Sequence, residues 1–250
     1  MVENEEQEQS FISHLVELRN RLLKVVLSVL FVFLAMAPFA NEIYSFLAKP
    51  LMQFLPENTS MVAIDVISPF LTPFKLVLVA AIFSSIPVIL YQFWAFVAPG
   101  LYAHEKRMIA PLLFAITLLF ALGMAFAYFV VFPLVFDFLT SAAPVGVAMM
   151  TDISKYLDFV LTMFFAFGMA FEVPIVTIVL VWAGIFTPQQ LADKRPYIIV
   201  GAFIIGMFLT PPDAISQTLL AVPIWLLFEA GLLLSRLFVR NKGQKRLGSH

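Results

Sequence analysis

Three glutamates stand where side chains could do chemistry: Glu17, Glu105 and Glu172. Glu17 lies in the stretch FISHLVELRNRLLK (residues 11–24), among Arg19, Arg21 and Lys24. Glu105 lies in a short charged connection with His104, Lys106 and Arg107. Two carboxylates facing one water layer suit a ligand that carries two cations. Guanidinium is the best match, because its planar fork pairs bidentately with a carboxylate and an ammonium does not. Plainer readings stand beside this one. Glu17 is spaced for an i,i+4 pair with Arg21, worth about 0.2–0.5 kcal/mol, and Glu105 reads equally as a solvated loop acid beside Lys106 and Arg107.

Glu172 is a different case, near the middle of a long apolar run. A charge at that depth costs about 2.5–3.5 kcal/mol on insertion scales, so it faces a partner, a cavity or water. It reads either as a polar foothold inside a groove or as a protonated side chain bonded to a neighbouring helix. Pro174, two residues on, removes a backbone donor and is expected to bend the helix there. A weaker polar set, Met207, Thr210 and Gln217, falls near the outer ends of the last two apolar runs. It is either ordinary polarity at a membrane end or a place where another membrane helix docks.

Catalytic motifs do not appear. HEKRM (residues 104–108) begins like a zinc-protease helix but lacks the second histidine, and no GxSxG occurs. His14 and His104 have no acidic cluster at metal-ligand spacing. The absence of cysteine removes thiolate chemistry, and no glycine-rich loop offers to hold a phosphate. The expectation is a non-enzyme without cofactor or metal, and without a nucleic-acid partner.

The elements that must position these residues are membrane helices. Hydrophobic residues make up 62% of the 250, charged ones 12%, and mean hydropathy is +0.97. Soluble domains average about 25% charged, so this chain belongs with polytopic membrane proteins. Residues 11–24 form an amphipathic helix at the membrane surface: Phe11, Leu15, Leu18 and Leu22 share one face, and Ser13, Glu17, Asn20 and Lys24 another. The acidic start (Glu3, Glu5, Glu6, Glu8) is unlike a secretory signal peptide, so the first apolar run is expected to be retained.

Six spans are predicted within one polytopic domain, at about 22–40, 69–98, 108–136, 157–184, 197–210 and 214–235, followed by a basic tail at 236–250. The last two are expected to be short. Residues 41–68 should form short helices and turns at the outer membrane surface. Small residues at Ala121/Ala125, Gly123/Ala127 and Ala166/Ala170 should let helices approach closely. Thr187-Pro188-Gln189-Gln190 reads as a capping box that opens a short inner helix. With the N-terminus inside, twelve Lys/Arg fall on the inner side, and only Lys49, Lys75 and Lys155 on the outer. That bias puts both termini in the cytoplasm.

Taken together, the chain resembles the TatC family, the multi-spanning subunit of the twin-arginine (Sec-independent) protein translocase. The likeness covers about residues 10–238. HLVELRNRL (14–22), SPF (68–70), YQFWAFVAPGLYAHEKR (91–107), GMAFAYF (123–129), FEVP (171–174), KRPY (194–197) and LTPPD (209–213) carry it. The resemblance implies an all-α, cup-shaped bundle of six helices in the bacterial cytoplasmic (inner) membrane. It implies a receptor for twin-arginine signal peptides of folded precursors, working with the single-span subunits TatA and TatB, with membrane lipid and with further copies of itself. On that likeness Glu17 and Glu105 would bind the arginine pair, with Arg19 in support and Phe96 nearby. Glu172 would face the groove that takes the apolar part of the signal, and Met207, Thr210 and Gln217 would contact TatA and TatB. The outer loops would brace the assembly, and the proton-motive force would drive export, since no nucleotide site is present. A rival reading is a proton-coupled small-solute transporter that uses Glu172.

Overall fold

The computed structural model describes residues 2–53, 61–97, 106–141, 150–209 and 214–247. These residues are almost entirely helical, and among them the only extended pairing is one isolated bridge between Val62 and Asp152. The helices in order are α1 (Val2–Met36), α2 (Ala40–Met52), α3 (Ser68–Ser84), α4 (Ile86–Val97), α5 (Lys106–Phe126), α6 (Phe132–Ser141), α7 (Ile153–Phe171), α8 (Val173–Trp182), α9 (Pro188–Asp193), α10 (Arg195–Leu209) and α11 (Ala214–Leu247). Among the described residues four helical stretches are long and apolar enough to cross a membrane, and a bent pair, α3 with α4, makes a fifth. Helix α10 has 15 residues and reaches only about 22 Å at 1.5 Å per residue, against a hydrocarbon core of about 30 Å. Large apolar side chains stand outward, Phe31 at 74% exposure and Phe208 at 79%. That is tolerable only where lipid is the solvent.

Several helices are broken where the sequence withholds a hydrogen bond. Between α3 and α4 the chain bends by 48° at Ser85. The Ser85 N–H still bonds the Ala81 carbonyl, but Pro87 has no N–H to continue the ladder. A π-helical turn, Ala127–Val131, separates α5 from α6. Helices α7 and α8 part at the single residue Glu172, ahead of Pro174. The capping box closes as its four residues predict. Thr187 Oγ1 accepts from the Gln190 N–H at 3.2 Å, and Gln190 Oε1 accepts from the Thr187 N–H at 2.8 Å.

The chain forms two compact units, to both of which α2, α5 and α7 contribute. In the first, Met1–Lys49, Met61–Thr117 and Thr151–Leu157, α1 packs on α3 and α4, and Leu76, Val77 and Ala81 are buried. This unit also carries the bridge that ties two loops. The Val62 N–H donates to Thr151 O and the Ile153 N–H to Val62 O, both at 2.9 Å. Nearby, the Tyr156 hydroxyl donates to Leu47 O at 2.7 Å, and the Thr72 and Ser154 hydroxyls meet at 3.0 Å.

In the second unit, Pro50–Ser60, Leu118–Met150 and Asp158–His250, Phe132 is fully buried against Phe136, Phe159 and Phe164. Helix α5 meets α7 at Gly123, where an added Cβ would lie 2.4 Å from the Phe167 carbonyl oxygen. Helix α11 packs on α8, α9 and α10, with Phe228 and Leu232 buried beside Leu191.

Candidate functional site

Helix α1 carries Glu17 on the face that meets α4. The i,i+4 pair its spacing allows is formed: Arg21 Nε and Nη2 both donate to Glu17 Oε1, at 2.9 and 2.5 Å. Both donors fall on one oxygen, so this is no fork-on-fork pair. The other oxygen, Oε2, lies 4.0 Å from His14 Nδ1. The His14 ring in turn stacks on Phe96 of α4, with centroids 4.3 Å apart and planes 24° from parallel. From the same helix Gln92 Oε1 accepts from Arg21 Nη1 at 3.4 Å. One patch of the first unit therefore gathers Glu17, Arg21, His14, Gln92 and Phe96. Arg19 lies on α1 at the exposed edge, where Nε and Nη2 donate to Asn20 Oδ1 at 3.4 and 3.2 Å. Glu105 lies outside the described residues.

Glu172 sits at the break between α7 and α8, in helical geometry (φ −77°, ψ −15°). Its backbone is satisfied, with its N–H on Met169 O and its carbonyl accepting from the Val176 N–H. The side-chain oxygen Oε1 is buried and finds no hydrogen-bond partner among the described residues. An acceptor in that position is costly unless something meets it. Close by, α11 presses on α8: a Cβ at Gly231 would lie 2.7 Å from Pro174 Cα.

Of the third set, Met207 is on α10, more than half exposed, and Gln217 is on α11. Their helices pack together, and a Cβ at Gly206 would be 3.6 Å from Gln217 Cα. Thr210 lies outside the described residues.

The sequence reading missed three features. Gln92 is one, although its i,i+4 spacing to Phe96 already put the two on one helix face. The buried hydroxyl of Ser85, which also lacks a partner among the described residues, is another. The third is a bidentate ion pair between Arg195, at the start of α10, and Glu229 on α11: Nε to Oε1 at 2.5 Å and Nη2 to Oε2 at 2.8 Å.

Residues 13–223 match the family model of the Sec-independent protein translocase protein TatC. A protein of that name from Haemophilus influenzae is 58% identical over 235 residues, 94% of this chain and 92% of its own. The Escherichia coli K12 protein is 54% identical over 241 residues, 96% and 93% of the two chains. A crystal structure of the twin arginine translocase receptor TatC superposes with a TM-score of 0.75 at 41% identity, covering 90% of this chain and 98% of that one. A second such structure, in DDM, gives 0.77 at 40% identity, covering 89% and 99%.

Proposed function

We propose that this chain, which belongs to the TatC family of Sec-independent protein translocase proteins, binds the arginine pair of twin-arginine signal peptides through Glu17. Family membership makes it a component of the twin-arginine translocase and a multi-pass membrane protein. It does not favour the solute-transporter reading of Glu172. In our reading the chain lies in the bacterial cytoplasmic membrane, crosses it six times and has both termini in the cytoplasm. Glu105 is the second ligand carboxylate and Arg19 supports the patch.

The observation that carries this reading is the state of Glu17. One oxygen already holds a guanidinium, the group an arginine ligand would bring. Its other oxygen lies 4.0 Å from Nδ1 of His14, whose ring stacks on Phe96. An aromatic surface beside a carboxylate suits an arginine side chain, whose plane can stack while its edge donates.

The rest of the path follows by chemistry. Glu172, with a buried oxygen awaiting a donor, gives the apolar part of the signal a polar foothold. Met207, Thr210 and Gln217, on or beside α10 and α11, contact the single-span subunits TatA and TatB, where the shortness of α10 leaves room for another helix to compensate. The proton-motive force supplies the energy.

The test is export in cells that depend on this chain for TatC. Glu17→Ala should abolish export of a twin-arginine reporter while the protein still reaches the membrane at normal level. Undiminished export would contradict the reading.

A further inference from the structure

In the structure the guanidinium on Glu17 is the chain's own. Arg21 gives two N–H groups to Oε1 and reaches toward Gln92 with a third nitrogen, at 3.4 Å. The Arg21 side chain is 22% exposed, that of Glu17 36%. We propose that Arg21 is an internal competitor for the ligand's guanidinium, handed from Glu17 to Gln92 when a twin-arginine peptide binds, and that this exchange holds down the affinity of the site. The proposal rests on the reading of Glu17 as the ligand carboxylate.

An arriving cation meets a carboxylate whose charge is already matched, on a helix that also carries Arg19 and Lys24. It cannot simply add itself. It must replace the Arg21 clasp and leave Arg21 with a new partner. For an arginine the replacement is like for like, since one guanidinium with a donating edge takes the place of another. For a lysine it is a loss. An ammonium is a compact, strongly hydrated point charge without the planar fork, so it returns less to Glu17 and gives up more water. The cost of displacing Arg21 is common to both ligands, so it lowers both affinities and leaves their ratio to the intrinsic match of each cation with Glu17.

The displaced Arg21 has an acceptor in place. Gln92 Oε1 is already at the outer edge of hydrogen-bond range, and a shift of a few tenths of an ångström brings it to an ordinary N–H···O length. Gln92 precedes Phe96 by one helical turn, so the hand-over stays on the α4 face that meets Glu17.

A residue that merely orients Glu17 would behave in the opposite sense. The test measures dissociation constants of fluorescent twin-arginine and twin-lysine signal peptides on the purified full chain in detergent. Arg21→Gln should tighten both peptides several-fold, by about the same factor. Gln92→Leu should weaken the arginine peptide when Arg21 is present and change little when it is Gln. If Arg21→Gln weakens both peptides or leaves both unchanged, Arg21 is no competitor and the proposal falls. If Arg21→Gln is not recovered folded, Arg21→Lys gives the same answer. A weaker competitor should let the lysine peptide bind more tightly, and an unchanged lysine peptide overturns the proposal. Glu17→Gln separates the two levels: if it binds like the parent, the reading of Glu17 fails. If it loses binding while Arg21→Gln tightens neither peptide, only the competitor role fails.

Discussion

Asp152 accepts, through Oδ2, the backbone N–H of Ile64 at 3.1 Å, across 88 residues of sequence. Its other oxygen, Oδ1, accepts the N–H groups of Ser154 and Lys155 at 2.9 and 3.0 Å, which caps the start of α7. One side chain thus fastens the Val62–Asp152 bridge and the end of a long helix together. The N–H of Lys155 and then that of Ile64 do most to hold the Asp152 carboxyl below its ordinary value. A carboxylate whose folded pKa lies below its unfolded one contributes stability above the unfolded value, about 3.9, and loses it as pH falls through the folded one. Thermal unfolding in detergent should therefore show Asp152→Asn less stable than the parent at pH 7. The two melting temperatures should converge below about pH 4. Parallel curves at all pH values would mean that the charge is not what the N–H groups hold.

Two glycines set helix contacts in the second unit. At Gly123 the space for a methyl group is taken by the Phe167 carbonyl, and at Gly231 by the backbone of Pro174. Backbone cannot swing aside as a side chain can. Gly123→Ala and Gly231→Ala should each cost about 1–3 kcal/mol, the usual range for overpacking, read as lower melting temperatures in detergent. Gly201, with open space around it, is the control, and alanine there should be neutral or slightly stabilising within its helix.

The Arg195–Glu229 pair joins the start of α10 to α11 across 34 residues. Arg195 is 42% exposed, so water screens the pair, and its bidentate geometry is what lets it contribute to stability at all. Arg195→Ala should lower the melting temperature in detergent slightly. The charge-swapped double variant, Arg195→Glu with Glu229→Arg, should recover part of the loss. A double-mutant cycle with no coupling would contradict the pairing.

What could be read from the sequence, and what could not, divides by distance along the chain. The apolar runs gave the helices because lipid-facing and core-facing residues are both apolar, so composition alone marks a span. The capping box at Thr187 and the Glu17–Arg21 pair lie within one helical turn, where spacing fixes geometry. Gly123 was legible as a small residue, yet nothing in its neighbourhood named Phe167 as what it meets. The contacts of Arg21 with Gln92, Arg195 with Glu229 and Asp152 with Ile64 span 71, 34 and 88 residues. They exist only once helices have packed, and no local pattern encodes them. The 48° bend at Ser85 had a local cause in Pro87. Its effect was hidden because an apolar run continues through it. Glu105 and Thr210 lie outside the described residues, so their roles rest on the family resemblance and on the chemistry of their neighbours.

The most direct measurement is binding of a twin-arginine signal peptide to the purified chain in detergent. A twin-lysine peptide and the Glu17→Ala/Glu105→Ala double variant complete the set. A receptor that reads guanidinium through these carboxylates binds the arginine peptide, binds the lysine peptide at least about tenfold more weakly, and loses the arginine peptide in the double variant. Equal binding of the two peptides, or undiminished binding by the double variant, would contradict it.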